Sequence, residues 1–169
     1  SRAVRRLRYG DRLVSREHAE RLLARIEAVE RAVLDLEVTE RDAIRALMLA
    51  LDELLVCVQR VRFEFDDAEY PDPPAGDMPE LRAAVSRRFP GFGYYNVPAS
   101  LDANLGSERC DVGDAVDDLA DILLDLSRAK WRILHHSPAD GLFHCELDYR
   151  AHWGTHARAL LRYLHDAIV

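Results

Sequence analysis

Asp114, Asp117, Asp118, Asp121 and Asp125 are spaced so that an α-helix, turning 100° per residue, gathers them within an arc of about 100°. Closely set carboxylates repel one another, and a like-charged i, i+4 pair costs a few tenths of a kcal/mol even when solvated. Water must screen such a stripe, or a cation or cationic side chains must hold it. Further along, His152 and His156 stand one helical turn apart, a spacing suited to two imidazoles sharing a metal ion. If the two helices lie side by side, Asp118, Asp121 and Asp125 meet His152 and His156.

Two chemistries compete for this set. In the first, the aspartates accept hydrogen bonds from the imidazoles or from the Trp153 indole and tie the helices together. The candidate polar cluster is then Asp114, Asp117, Asp118, Asp121, Asp125, His152, Trp153 and His156. In the second, Asp117, Asp118, Asp121, His152 and His156 bind a divalent metal. Magnesium or manganese suits the carboxylates, and a histidine serves as ligand or general base. Asp117-Asp118-x-x-Asp121 has the D-D-x-x-D spacing with which prenyl-diphosphate synthases hold magnesium, but the larger helical body and second acidic motif of those enzymes are missing. The Glu-x-x-His pattern of di-iron bundles is missing as well. Cys145 has Glu146 and Asp148 close by, the wrong surroundings for a thiolate nucleophile. His135-His136 falls at a helix end, where an imidazolium complements the macrodipole.

The elements that would position these groups are helical. From Ser15, read as an N-cap, Leu22, Ile26, Val29, Val33 and Leu36 recur at steps of four and three, an amphipathic helix of roughly six turns. Thr39 and Asp42 form a capping signal for a second long helix, with Ile44, Leu47, Leu51, Leu54, Val58, Val61 and Phe65 on one face. So short a joint predicts an antiparallel hairpin. A Pro-rich stretch follows, then a short helix from Pro79 to Arg88. Residues 89–107 read as a Gly- and aromatic-rich loop packed over one end of the bundle. Asp111 and Asp114 cap a third long helix that runs to about His135. The segment 137–141 breaks the pattern, and a last helix spans roughly Leu142 to Ala167. Gly154 within it costs about 1 kcal/mol relative to Ala and signals close packing of another backbone. No strand is expected after Ser15. The expected fold class is all-α: an antiparallel helical bundle of four long helices plus one short helix. Residues 1–14 form an unassigned arginine-rich arm, and residues 15–169 one domain.

Composition narrows the setting. The chain has 169 residues, 49% of them hydrophobic, enough for one core. Its net charge of −7 equals the excess in residues 102–125, where eight acids face one base. Residues 1–16 carry six arginines and one aspartate. There is no apolar run long enough for a membrane span and no charged-then-apolar leader. Three separated cysteines read as reduced thiols in a cytoplasmic protein. The arginines lack aromatic interleaving, and no nucleic-acid module is recognisable. Partners are expected among proteins, or a second copy in a homodimer, and not among membranes or nucleic acids.

Val112-Gly-Asp-Ala-Val-Asp-Asp-Leu-Ala-Asp-Ile-Leu-Leu-Asp-Leu126, with His152-Trp-Gly-Thr-His156 and Leu160-Leu-Arg-Tyr-Leu-His165, resembles the bacterial domain-of-unknown-function family numbered 5063. The resemblance covers roughly residues 40–168. It implies a small all-helical cytoplasmic domain in which Asp117, Asp118, Asp121, Asp125, His152, Trp153, Gly154 and His156 form one feature, and it carries no activity. Where the family pattern has Tyr-Arg-Asp, this chain has Leu123-Leu124-Asp125, so a phenol and a cation beside the carboxylates are lost. The expected function is a non-enzymatic interaction or regulatory domain, with no cofactor, in which the Asp/His/Trp cluster organises helix packing. The alternative is a magnesium- or manganese-dependent hydrolase of a phosphorylated or nucleotide-like small molecule.

Overall fold

The computed structural model describes residues 9–34, 37–62, 65–99, 106 and 109–168. Residues 1–8 of the arginine-rich segment, and Leu36 of the first apolar stripe, lie outside them. The described chain runs α1 (Tyr9–Leu34), α2 (Glu40–Arg60), α3 (Met78–Arg88), β1 (Tyr94–Pro98), β2 (Cys110–Asp114), α4 (Ala115–His135), α5 (Pro138–Asp148), a π-helical turn (Tyr149–Trp153) and α6 (Gly154–Ile168). Helix dominates, as the patterning predicts. Among the described residues, no helix is long and apolar enough to cross a membrane.

The first two helices form the expected hairpin. Leu22, Ile26, Val29 and Val33 of α1 and Ile44, Leu47, Leu51, Leu54 and Val58 of α2 are buried, each fully buried aliphatic contributing about 1.5–3 kcal/mol. Thr39 caps α2, its hydroxyl accepting from the Asp42 N–H at 3.2 Å. Two expectations fail at the ends of this hairpin. Ser15 is not an N-cap: α1 begins at Tyr9, and Ser15 is buried within it. The second stripe stops at Val61, the C-cap, and Phe65 is 67% exposed. The Arg88 side chain of α3 is buried at the hairpin joint, its guanidinium donating to the carbonyls of Ala32 (3.3 Å), Val38 (3.1 Å) and Thr39 (3.4 Å). The Ala32 carbonyl is one of those that the last turn of α1 leaves open, and Val38 and Thr39 lead into α2, so one side chain ties the end of the first helix to the start of the second.

The described residues 89–99 and 109–114, on either side of 100–108, are more ordered than the loop expected. Phe89 is buried and stacks on Phe92 with centroids 4.6 Å apart. β1 then pairs antiparallel with β2, Tyr94 opposite Asp114 and Tyr95 opposite Gly113. The absence of strands was therefore a wrong expectation, and Asp111 lies in β2 instead of capping a helix. Gly113 is what lets the Tyr95 ring lie across the ribbon, since a Cβ there would stand 2.7 Å from the ring. Tyr94 points into solvent at 75% exposure, so not every aromatic of this segment packs.

The expected last helix is one helical path from Pro138 to Ile168 that changes character midway. Ser137 caps it, accepting from the Asp140 N–H, with Pro138 in the first turn. The segment 137–141 thus starts the helix. At Tyr149–Trp153 the path widens, and the Gly154 N–H reaches back to the Tyr149 carbonyl. A Cβ on Gly154 would sit 2.2 Å from that carbonyl oxygen. The close backbone is the chain's own preceding turn, not another element's. In an ordinary helix Gly→Ala gains about 1 kcal/mol. Here overpacking, at about 1–3 kcal/mol, reverses the sign: Gly154→Ala should lower stability in urea unfolding, and a gain would contradict this account of the turn.

Candidate functional site

Asp114 closes β2 and opens α4. Its carboxylate accepts the N–H groups of Val116 (3.0 Å) and Asp117 (3.4 Å), and Arg82 of α3 approaches it at 3.4 Å. The negative charge also sits at the favourable end of the helix dipole. Asp117, one turn on, faces the same Arg82 and hydrogen-bonds its guanidinium. These two aspartates therefore belong to the α3 contact and take no part in the histidine cluster.

The other three face the π-helical turn and α6. Asp118 is buried and accepts from His156 Nδ1 at 2.6 Å and from the Tyr95 hydroxyl. Asp125 is buried and accepts from His152 Nδ1 at 2.7 Å, with Arg128 at 3.6 Å. An ionised carboxylate has no proton to donate, so each imidazole donates from Nδ1 and its Nε2 is left facing away. Asp121, between the two, lies 3.8 Å from His156 Nε2. Donor atoms of Asp121, His152 and His156 fall within 4.8 Å of one another.

Trp153 does not join them. It is fully buried and donates its indole N–H to the Cys145 carbonyl at 3.3 Å. Adjacent helical positions point about 100° apart, so the residue between two cluster histidines turns to the core. Of the expected metal set, Asp121, His152 and His156 converge and Asp118 stands behind His156, whereas Asp117 is turned to Arg82.

Charge explains the protonation pattern. The bond to Asp118 holds the His156 imidazole above its ordinary range; burial works against this, and the fields of Asp118, Asp121 and Asp125 assist. Burial, then the bond to Asp118, pushes the Tyr95 phenol up, so it remains a donor. The Cys145 thiol is raised by complete burial, consistent with an idle cysteine.

A second polar group joins α4 to α5. Buried Asp140 accepts from His136 Nδ1 (2.9 Å) and Arg132 (3.3 Å) and lies 3.4 Å from His144 Nε2. Tyr70 stacks on His136 at 4.4 Å. His135 does cap, its Nδ1 2.9 Å from the Trp131 carbonyl, but His136 turns inward to Asp140. Sequence reasoning missed Tyr95, Arg82 and Asp140. The alternation Tyr94-Tyr95-Asn96-Val97 was the only available signal for the first. A cleft of about 470 Å³ lies elsewhere, between α1 and α2.

Residues 16–169 match the family model described as Domain of unknown function (DUF5063), and the chain belongs to that family. The crystal structure of protein BF1032 from Bacteroides fragilis is similar with a TM-score of 0.64 and 18% identity, covering 93% of this chain and 91% of that one. At that identity the likeness speaks for the fold alone. No curated protein matches the chain.

A base whose folded pKa is raised contributes stability that is complete below its unfolded value and is lost as pH climbs through the folded one. In EDTA, the unfolding free energy should accordingly decline as pH is raised from below 6.5, the ordinary value for His156, to above its raised value. His156→Gln should remove most of that slope. Urea titrations at fixed ionic strength give the measurement, and a slope the variant leaves unchanged would assign the effect elsewhere.

Proposed function

We propose that this member of the DUF5063 family is a non-enzymatic interaction or regulatory domain, in which an Asp–His clasp fixes α6 and the β ribbon against α4. The observation that carries the reading is how the acidic stripe uses its lone pairs. Asp117 accepts from Arg82, Asp118 from His156 and Tyr95, and Asp125 from His152. Of the D-D-x-x-D pattern, Asp117 thus answers to Arg82, Asp118 to His156 Nδ1 and Tyr95, and Asp121 stands 3.8 Å from His156 Nε2, so the first two carboxylates are turned to separate partners and do not converge with the third as a magnesium cradle requires. Freeing Asp118 for a metal would leave the partly buried His156 without its counter-charge, and breaking one side of a buried pair costs about 3–5 kcal/mol. The competing reading, a magnesium- or manganese-dependent hydrolase of a phosphorylated or nucleotide-like molecule, needs Asp117 and Asp118 to leave these bonds together.

The interaction half of the proposal draws on α2. Leu49 and Val56, 61% and 46% exposed, stand seven residues apart on one outward face. Val56 also lines the α1–α2 cleft, where Arg21, Arg25 and Arg60 alternate with Asp52 and Glu53, Arg25 being paired with Glu53. An apolar stripe beside a rim of both charges suits a protein partner or a second copy of the chain.

Asp118→Asn, His156→Ala and the double variant, unfolded in EDTA, should give a coupling of about 1–3 kcal/mol. Phosphate release from nucleotides and phosphorylated small molecules should not rise above background with magnesium or manganese. Turnover that depends on either ion and disappears in Asp117→Asn would overturn the reading in favour of the hydrolase.

A further inference from the structure

The clasp accounts for one nitrogen of each imidazole and leaves the other. His152 and His156 are each fixed through Nδ1 by an aspartate buried on α4. Metal-bound histidines are oriented in this way, the carboxylate setting the tautomer and raising the basicity of the distal nitrogen. Asp121, one turn from both Asp118 and Asp125 and not engaged by either Nδ1, presents its oxygen to the same space.

We propose that Asp121, His152 and His156 form a binding site for a divalent transition metal of the zinc class. Two imidazole nitrogens and one carboxylate oxygen are the donor set such ions prefer, whereas magnesium takes oxygen alone. The distances fit a site that closes on its ion. Ligands about 2.1 Å from a tetrahedral zinc lie about 3.4 Å apart, and the donors here lie within 4.8 Å, with His156 Nε2 and Asp121 already at 3.8 Å. The remaining movement falls to His152, whose side chain is 48% exposed. Three protein ligands leave the fourth position to solvent or to a ligand from outside.

The backbone supports the same reading. His152 lies in the π-helical turn and His156 in the first turn of α6, and single π turns inside helices are frequent at functional sites. An ion held here would join the middle of α4 to the turn where α5 becomes α6, making metal supply the input of a regulatory domain. The inference rests on the clasp of the preceding section, because the clasp aims the imidazoles.

The tag-free protein, stripped with EDTA, is titrated with zinc by calorimetry and followed by thermal melting, with magnesium as the comparison ion. One zinc per chain should bind and raise Tm, and magnesium should do neither. Asp121→Asn touches neither clasp bond, so it should melt like wild type in EDTA yet bind zinc more than about tenfold more weakly. Asp125→Asn, which releases His152, should weaken zinc by about 10–100-fold. His144→Ala, in the separate Asp140 group, should leave zinc affinity unchanged. Absence of zinc binding, or binding that Asp121→Asn leaves intact, overturns the site. The Asp118–His156 coupling measured in EDTA stands or falls separately, so failure of the metal site is distinguishable from failure of the clasp.

Discussion

Two carboxylates, Asp118 and Asp125, enter the interior on one face of α4. An ionised carboxylate taken from water costs several kcal/mol unless donors meet it, and that demand sets much of the surrounding architecture. The imidazoles of the π-helical turn and α6 answer it from one side, and for Asp118 the Tyr95 phenol answers from another. α4, α6 and the β ribbon are therefore bound by electrostatic necessity as well as by apolar contact.

The ribbon follows from the same demand. To bring the Tyr95 hydroxyl to Asp118, β1 must lie flat on the bundle, and Gly113 in β2 leaves space for the ring. Tyr95 also stacks on Tyr163 at 4.8 Å, and the Tyr163 hydroxyl accepts the Gly93 N–H at 3.1 Å. One end of the ribbon becomes the cap of α4 through Asp114, so strand register and helix start are set by one residue. Arg88 performs a similar service at the α1–α2 joint.

The parts legible in the sequence were those written in local periodicity. The stripes of α1 and α2, the Thr39 cap and the facing of the aspartates of α4 and the histidines of the last helix could be read because each depends on spacing along one element. The ribbon could not: Cys110-Asp111-Val112-Gly113-Asp114 has little strand propensity, and its pairing partner lies across a segment of the chain that gives no sign of it. Arg82 and Arg88 look like solvated positions of a short charged helix, and only tertiary packing gives them carboxylates and carbonyls to meet. Trp153 was misread for a simpler reason. Its place between two cluster histidines suggested membership, although neighbours in a helix never share a face.

The π-helical turn left a trace that was passed over. Tyr149, Trp153 and Ala157 follow Cys145 in three consecutive steps of four, where an even helix alternates threes and fours. One surplus residue in a helix rotates all that follows by about 100°. The path from Pro138 to Ile168 is covalently continuous and keeps to α4 throughout, yet its two halves address different further neighbours: α5 packs chiefly against α1 and α6 against α2. The widened turn works as a phase shifter, letting one rod pass from the first helix of the hairpin to the second without leaving α4.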